Sequence, residues 1–318
     1  MNMSLPQMNK GFTLLELMIA LALGLIVSAI AIQLTLTAQK SVSTQQAMSN
    51  LQSDALFGLE AVVRDVRLAN LNASDVVVND TVTHGGVVLD GRNYTSKRTA
   101  AGLADLVLVD ALSKGEVANT SNLQGVNSDQ LVIQYRNMME AQFDCEGQKI
   151  PVGSYIVQKY FVRKDTIQSA SNDPNEPFAL ACKAFTYTGD EPAKIDLSGT
   201  GEIIIPRVDY FGVMLGVAQD KCAAADVADG VMSCFGYISI QDYQALTTKP
   251  QIVMIKVGML VRSTNSIGAN DLYDKDKIYN VLNVQAKLKD DVKNKMYMRN
   301  IVTQTIAIRN GFGIEKQQ

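Results

Sequence analysis

The sequence predicts an α+β protein in which one long N-terminal helix packs on antiparallel β-sheet. Three observations lead to this fold. An uncharged run of 23 residues reaches from Leu17 to Gln39. An apolar stripe at helical spacing follows it directly. The rest of the chain then breaks into short segments of alternating polarity separated by turn residues.

The uncharged run carries only Ser28, Gln33, Thr35, Thr37 and Gln39 as polar interruptions. At about 1.5 Å per residue it spans roughly 35 Å, enough to cross a bilayer. A secretory signal has a shorter apolar core closed by a small-x-small cleavage site. Here the processing point is expected ahead of the apolar run, so the run is kept. One carboxylate, Glu16, stands at the head of this greasy segment. An acid in such a position costs roughly 3 kcal/mol on insertion scales, which makes it a functional residue by default and one that needs a partner.

Beyond Lys40 the helical pattern continues. Met48, Leu51, Ala55, Leu59, Val62 and Val66 recur at steps of three and four and form an apolar stripe, leaving Asp54, Glu60, Arg64 and Asp65 for the other faces. Glu60 and Arg64 form an i,i+4 pair worth a few tenths of a kcal/mol. No proline occurs between Pro6 and Pro151, so nothing forbids a single helix from residue 12 to about 69, roughly 85 Å long. Residues 12–39 form its membrane half and residues 40–70 its amphipathic half. Gly24 and Gly58 are the helix-weakening residues, each costing about 1 kcal/mol relative to alanine.

Strands are expected at 76–78, 86–89, 105–109, 130–136, 155–162, 184–187, 203–215, 237–240, 252–262, 278–286 and 301–309. Leu131, Ile133 and Tyr135 show the alternation of a sheet with one buried face. The head therefore covers residues 71–318. So many strands call for a second sheet or for a lobe inserted around residues 137–250.

Composition narrows the function classes. The 29 basic and 32 acidic side chains give a net charge of −3, with no basic field to hold nucleic acid. The four cysteines, Cys145, Cys182, Cys222 and Cys234, form no CxxC pair, and His84 is the one histidine, which argues against zinc. Four cysteines allow three pairings. The sequential one, Cys145 with Cys182 and Cys222 with Cys234, is favoured because each bond then clamps a loop rich in turn residues. The chain-entropy model assigns about 4 kcal/mol to the longer loop and about 3 to the shorter.

Nothing reads as an enzyme. His84 lies in the turn Thr83-His84-Gly85-Gly86 and is expected to be a loop residue rather than a catalytic base. The nearest approach to a glycine fingerprint, Gly311-Phe312-Gly313, has no helix after it. Three carboxylates in 270–276 (Asp271, Asp274, Asp276) could supply oxygen ligands to calcium, but the segment lacks the glycine and closing glutamate of an EF-hand loop and reads as a solvated turn. Lys287, Lys289, Lys293 and Lys295, offset by Asp290 and Asp291, read as an exposed face. Neither a cofactor nor a metal is expected.

The run Lys10-Gly11-Phe12-Thr13-Leu14-Leu15-Glu16, with the apolar segment behind it, resembles the class III signal of type IV pilins and pseudopilins. The resemblance implies a pilin-like fold and a leader, residues 1–11, that a prepilin peptidase removes between Gly11 and Phe12. It implies N-methylation of Phe12. It also implies that Glu16 neutralises the terminal amine of a neighbouring subunit in a filament, a pairing of opposite charges that a dry core favours. One departure stands out: major pilins often carry a helix-kinking proline at the twenty-second mature position, which here is Gln33. An ordinary bitopic anchor or receptor would keep its leader and need no peptidase.

Two further stretches are similar to PilW-type minor pilins. They are Asn127-Ser128-Asp129 leading into Gln130–Tyr135, and the closing run from Met298 through Arg299 to Arg309-Asn310. The resemblance implies a structural subunit held in the inner membrane with a periplasmic head before assembly and carried into the extracellular filament afterwards. Its implied partners are other minor pilins, the major pilin and a PilY-type tip adhesin, and its implied role is to prime assembly near the tip of a filament that can serve twitching motility. The alternative is a J-type pseudopilin of a type II secretion system, which shares the signal, the helix and the head design.

Overall fold

The computed structural model describes residues 11–97, 103, 106–166, 175–190, 192–220, 234–267, 274 and 276–311. A single helix, α1, runs from Leu14 to Leu68. It passes through Gln33 without a break, as expected where no proline removes a backbone donor. Thr35 and Thr37 donate their hydroxyls to the carbonyls of Ala31 and Gln33, both at 2.9 Å, so these two polar groups of the apolar half are satisfied inside the helix.

The two halves of α1 differ in burial. Up to Gln46 nearly every side chain is exposed; from Ala47 a stripe of Leu51, Ala55, Gly58, Leu59, Val62, Val63 and Val66 is buried. Met48 is half-buried at the start of that stripe. Asp65 departs from the sequence expectation of an outer position: it is 5% exposed, and its Oδ2 accepts the Tyr160 hydroxyl at 2.7 Å. The carboxylate is tolerated there because hydrogen bonds replace its water.

The head holds two principal sheets. In the first, β2 (Lys114–Val117), β3 (Ser128–Arg136), β4 (Tyr155–Lys164), β5 (Phe178–Tyr187) and β7 (Glu202–Pro206) pair antiparallel in that order. In the second the order is β13 (Tyr297–Ala307), β10 (Gln251–Ser266), β8 (Val208–Gln219) and β9 (Cys234–Ser239), again antiparallel. Two small pairs complete it: β1 (Val107–Val109) runs parallel to β6 (Lys194–Asp196), and β11 (Tyr279–Val281) forms a hairpin with β12 (Val284–Ala286). The buried stripe of α1 packs mainly against β10, β13 and β7, so one apolar core joins the helix to both sheets.

Several strand expectations need correction. The segment expected at 203–215 is two strands in different sheets, because Arg207 between them adopts a left-handed backbone (φ 57°) and turns the chain from one sheet into the other. Residues 76–78 and 86–89 form no strands beyond a bridge between Val87 and Ile133. Backbone bonds from the Val88 N–H to the Val132 carbonyl and from the Gln134 N–H to the Gly86 carbonyl hold the second segment on β3, and an asparagine supplies others. Asn93 accepts from the N–H groups of Leu89 and Asp90 and donates to the carbonyls of Asn79 and Val82. The strand expected at 237–240 ends at Ser239, whose hydroxyl caps a short helix, α2 (Ile240–Ala245), by accepting the Asp242 N–H.

Candidate functional site

The N-terminal tip of α1 gathers the residues that the sequence singled out. Gly11 and Phe12 precede the helix, and Phe12 is 90% exposed. Thr13 is the N-cap, with extended backbone, and Glu16 is the third helical residue. They close a reciprocal capping box: the Glu16 N–H donates to Thr13 Oγ1 at 3.2 Å, and the Thr13 N–H donates to Glu16 Oε2 at 2.9 Å. The Thr13 hydroxyl adds a third contact to Oε2 at 3.1 Å. Glu16 is thus folded back toward the start of the helix, where the aligned backbone dipoles favour a negative charge. Around it Leu14, Leu15, Leu17, Met18 and Ile19 are all more than half exposed. By length and composition α1 can cross a membrane.

The head carries its own structural sites. Cys145 and Cys182 are bonded, with Cα atoms 6.1 Å apart, and tie the connection between β3 and β4 to strand β5. This is the one disulfide among the described residues where two were expected, because Cys222, needed for the second, lies outside them. Of the three carboxylates in 270–276, Asp271 likewise lies outside the described residues, while the Asp276 N–H donates to Asp274 Oδ1 in a local turn. Of the four lysines, Lys287 and Lys293 are exposed, while Lys289 donates to the Ser121 carbonyl and Lys295 lies 3.9 Å from Asp290.

His84 is a loop residue, as expected, yet it is 2% exposed and sits at the centre of a polar and aromatic cluster. It adopts a left-handed backbone (φ 60°), its Nδ1 lies 3.0 Å from the Tyr187 hydroxyl and its Nε2 2.9 Å from Asp190, and its ring stacks on Tyr155 at 4.0 Å. Burial holds its pKa below the usual value, opposed by the Asp190 hydrogen bond and charge. No sequence signal marks this hub, since its hydrogen-bond partners lie 103 and 106 residues away.

The two stretches similar to PilW-type proteins acquire physical roles. The Ser128 hydroxyl accepts the Phe211 N–H at 3.1 Å, and Asp129 accepts the Val213 N–H at 2.7 Å and the Glu116 N–H at 2.9 Å, so the start of β3 is stitched to β8 in the other sheet. Burial raises the Asp129 pKa to about 6, against those two backbone donors. In the closing strand, Arg299 Nε meets Asp209 Oδ2 at 2.6 Å, while Arg262 approaches the other oxygen at 3.2 Å; all three side chains are at most 1% exposed. Asn310 then reaches the end of α1: its side chain donates to the Ala69 carbonyl at 3.3 Å, and Asn70 returns a bond to the Asn310 carbonyl at 2.9 Å.

A helix whose apolar half projects clear of an antiparallel head, begun by a capped glutamate after Gly-Phe, defines a pilin-class protein. Comparison with known proteins gives the same result. Residues 6–32 match the prokaryotic N-terminal methylation motif, and residues 159–310 match the family model of the type IV pilus-assembly protein W. The chain is thus similar to type IV pilins at its N-terminus and to the PilW family over residues 159–310. No curated protein matches it. Among solved structures, a type IV-like pilin from Thermus thermophilus aligns at 12% identity over 58% of this chain and 78% of its own, with a TM-score of 0.30.

Proposed function

We propose that this protein is a minor pilin without catalytic activity that primes filament assembly and occupies the filament tip. The observation that carries the reading is the division of α1: an exposed apolar half headed by Glu16, and a second half committed to a large two-sheet head. Removal of residues 1–11 by a prepilin peptidase would place a methylated amine on Phe12, next to the Thr13 N–H that Glu16 already binds. A neighbouring subunit's amine can then compete for the same carboxylate when helices pack in a dry core. A bulky head fits few positions along a shaft but fits an end, alongside other minor pilins and beneath an adhesin of the PilY type. Before assembly the helix anchors the chain in the inner membrane with the head in the periplasm; afterwards the chain is extracellular.

The first test is mass spectrometry of the N-terminal peptide from sheared filaments and, in parallel, from inner membranes. A peptide beginning at N-methylated Phe12 in the filament fraction is the expected result. An intact leader in both fractions would overturn the reading. Immunogold labelling tests position: label at filament ends is expected, and regular label along every shaft would refute the tip assignment.

A further inference from the structure

The chain carries 13 methionines, and those among the described residues of the head differ sharply in their access to solvent. Met259 is 1% exposed, and Met214, Met254, Met296 and Met298 are half-buried. The sulfur of Met254 is further occupied, since the Tyr237 hydroxyl donates to it at 3.3 Å. Met138 and Met139 stand apart. They follow one another in the connection between β3 and β4 and are 55% and 54% exposed, so their polarizable thioethers face the medium.

The backbone beneath the pair is fixed. Asn137, itself 1% exposed, accepts the Met139 N–H at 2.9 Å and donates through Nδ2 to the carbonyls of Met139 and Ile150, both at 3.0 Å, and of Pro151 at 3.3 Å. Its own N–H donates to the Ser154 carbonyl, and its carbonyl accepts the Gly153 N–H, across the base of the connection. The Cys145–Cys182 bond and the ion pair of Lys183 with Glu146, at 2.9 Å, anchor the far part of the same connection to β5. The order of this segment therefore does not depend on burying either thioether.

We propose that Met138 and Met139 form a reversible oxidation site, at which hydrogen peroxide in the medium is reduced ahead of the other described methionines of the head. A lone pair on the thioether sulfur attacks one peroxide oxygen, and the O–O bond breaks. The departing hydroxide takes the proton of the transferred oxygen and leaves as water. Sulfur is oxidised to the sulfoxide, the peroxide is reduced, and each methionine consumes one peroxide. The step turns a flexible apolar side chain into a polar one, and sulfoxide reductases reverse it. Met138 and Met139 are two of the four large apolar side chains that this connection exposes, beside Phe143 and Val152 at 58% and 54%. Oxidation of the pair thus lets the redox state of the medium set the polarity of one surface of the head while the fold stays as it is.

The test is a time course with hydrogen peroxide on the full-length protein in detergent. Sulfoxide is quantified at each methionine by peptide mass spectrometry, and packing is followed by near-ultraviolet circular dichroism. Expected is oxidation of Met138 and Met139 about tenfold faster than that of Met214, Met254, Met259, Met296 and Met298, with the dichroism unchanged and both thioethers restored by the two epimer-specific sulfoxide reductases. Combining Met138→Leu with Met139→Leu, which keeps side-chain volume, should delete the fast phase of peroxide consumption and leave the slow one. Equal rates across these methionines would overturn the proposal. So would sulfoxides at the pair that appear only together with loss of the dichroism, sulfoxides that the reductases leave in place on the folded protein, or a fast phase that survives in the double variant.

Discussion

Replacing Gly58 with alanine sets two effects of opposite sign against each other. In an open helix the change gains about 1 kcal/mol, because glycine gives up more backbone freedom on folding. At position 58 the helix lies directly on β7. A Cβ there would stand 2.2 Å from Ile205 Cγ1, 2.9 Å from its Cδ1 and 2.8 Å from the Ile204 carbonyl oxygen. The Ile205 side chain has no room to swing away, since it is fully buried and its strand is paired to β5 through Leu180. Overpacking of this kind costs about 1–3 kcal/mol, and the contact is at the severe end. The net expectation is a loss of about 2 kcal/mol.

The assay follows from the composition. The chain has no tryptophan and 11 tyrosines, so near-ultraviolet circular dichroism of the full-length protein in detergent reports packing of the head. For a folded unit of this size, about 2 kcal/mol lowers the midpoint of thermal unfolding by roughly 4–8 °C. Gly24→Ala is the matched control, because a Cβ at Gly24 meets nothing within 4 Å. A rise in the midpoint for Gly58→Ala, or an effect equal to that of Gly24→Ala, would refute the close approach of helix and sheet.

Asp209→Asn should cost about 3–5 kcal/mol in urea unfolding, since it leaves the guanidinium groups of Arg262 and Arg299 buried without the carboxylate between them. Tyr160→Phe removes the hydroxyl that Asp65 accepts and should cost about 1–3 kcal/mol by the same assay. Opening the Cys145–Cys182 bond with a double serine variant should cost about 4 kcal/mol by the chain-entropy model, for a loop of 37 residues, and proteolysis should then cut first between β3 and β4. Acid should destabilise the protein through His84. Its folded pKa lies below the usual 6.5, so as pH falls past that value the unfolded chain takes up a proton that the native state resists, and stability drops. His84→Asn, which tolerates the left-handed backbone, should show a flatter midpoint between about pH 7 and pH 5; an unchanged slope would clear His84 of that role.

The helix was legible because its signals are local: a charge-free run, a stripe at helical spacing and the absence of proline all lie within neighbouring turns. The capping box was also within reach, since Thr13 and Glu16 stand three residues apart as the motif requires. Strands with alternating polarity, such as β3 and β10, could be placed for the same reason. The division of residues 203–215 between two sheets could not, because only the left-handed backbone of Arg207 marks it and arginine carries no signal for that conformation. Asp65 reads as an outward residue on charge alone; its hydrogen-bond partner, Tyr160, is 95 residues away and leaves no local trace. Gly58 read as a weak point in a helix, and the strand that requires it lies some 150 residues downstream.

These long-range contacts explain why one helix can serve two environments. Beyond Ala47 every turn of α1 is fixed by the head: Gly58 admits β7, Tyr160 holds Asp65, and Asn70 and Asn310 tie the end of the helix to the end of the closing strand. Before Ala47 the head contributes almost nothing, and a free apolar helix in water would leave most of its surface exposed at a cost of about 25 cal/mol per Å². That half is stable only when lipid or neighbouring helices cover it. Because Thr35 and Thr37 already bond within the helix, the proposed move from lipid to a packed filament core would expose no unpaired hydroxyl at those positions. On that proposal Glu16 is the group that would distinguish the two settings. In the function proposed above, its bonds to Thr13 satisfy it in part at a membrane surface, a buried filament core would demand an opposite charge beside it, and that demand would favour assembly.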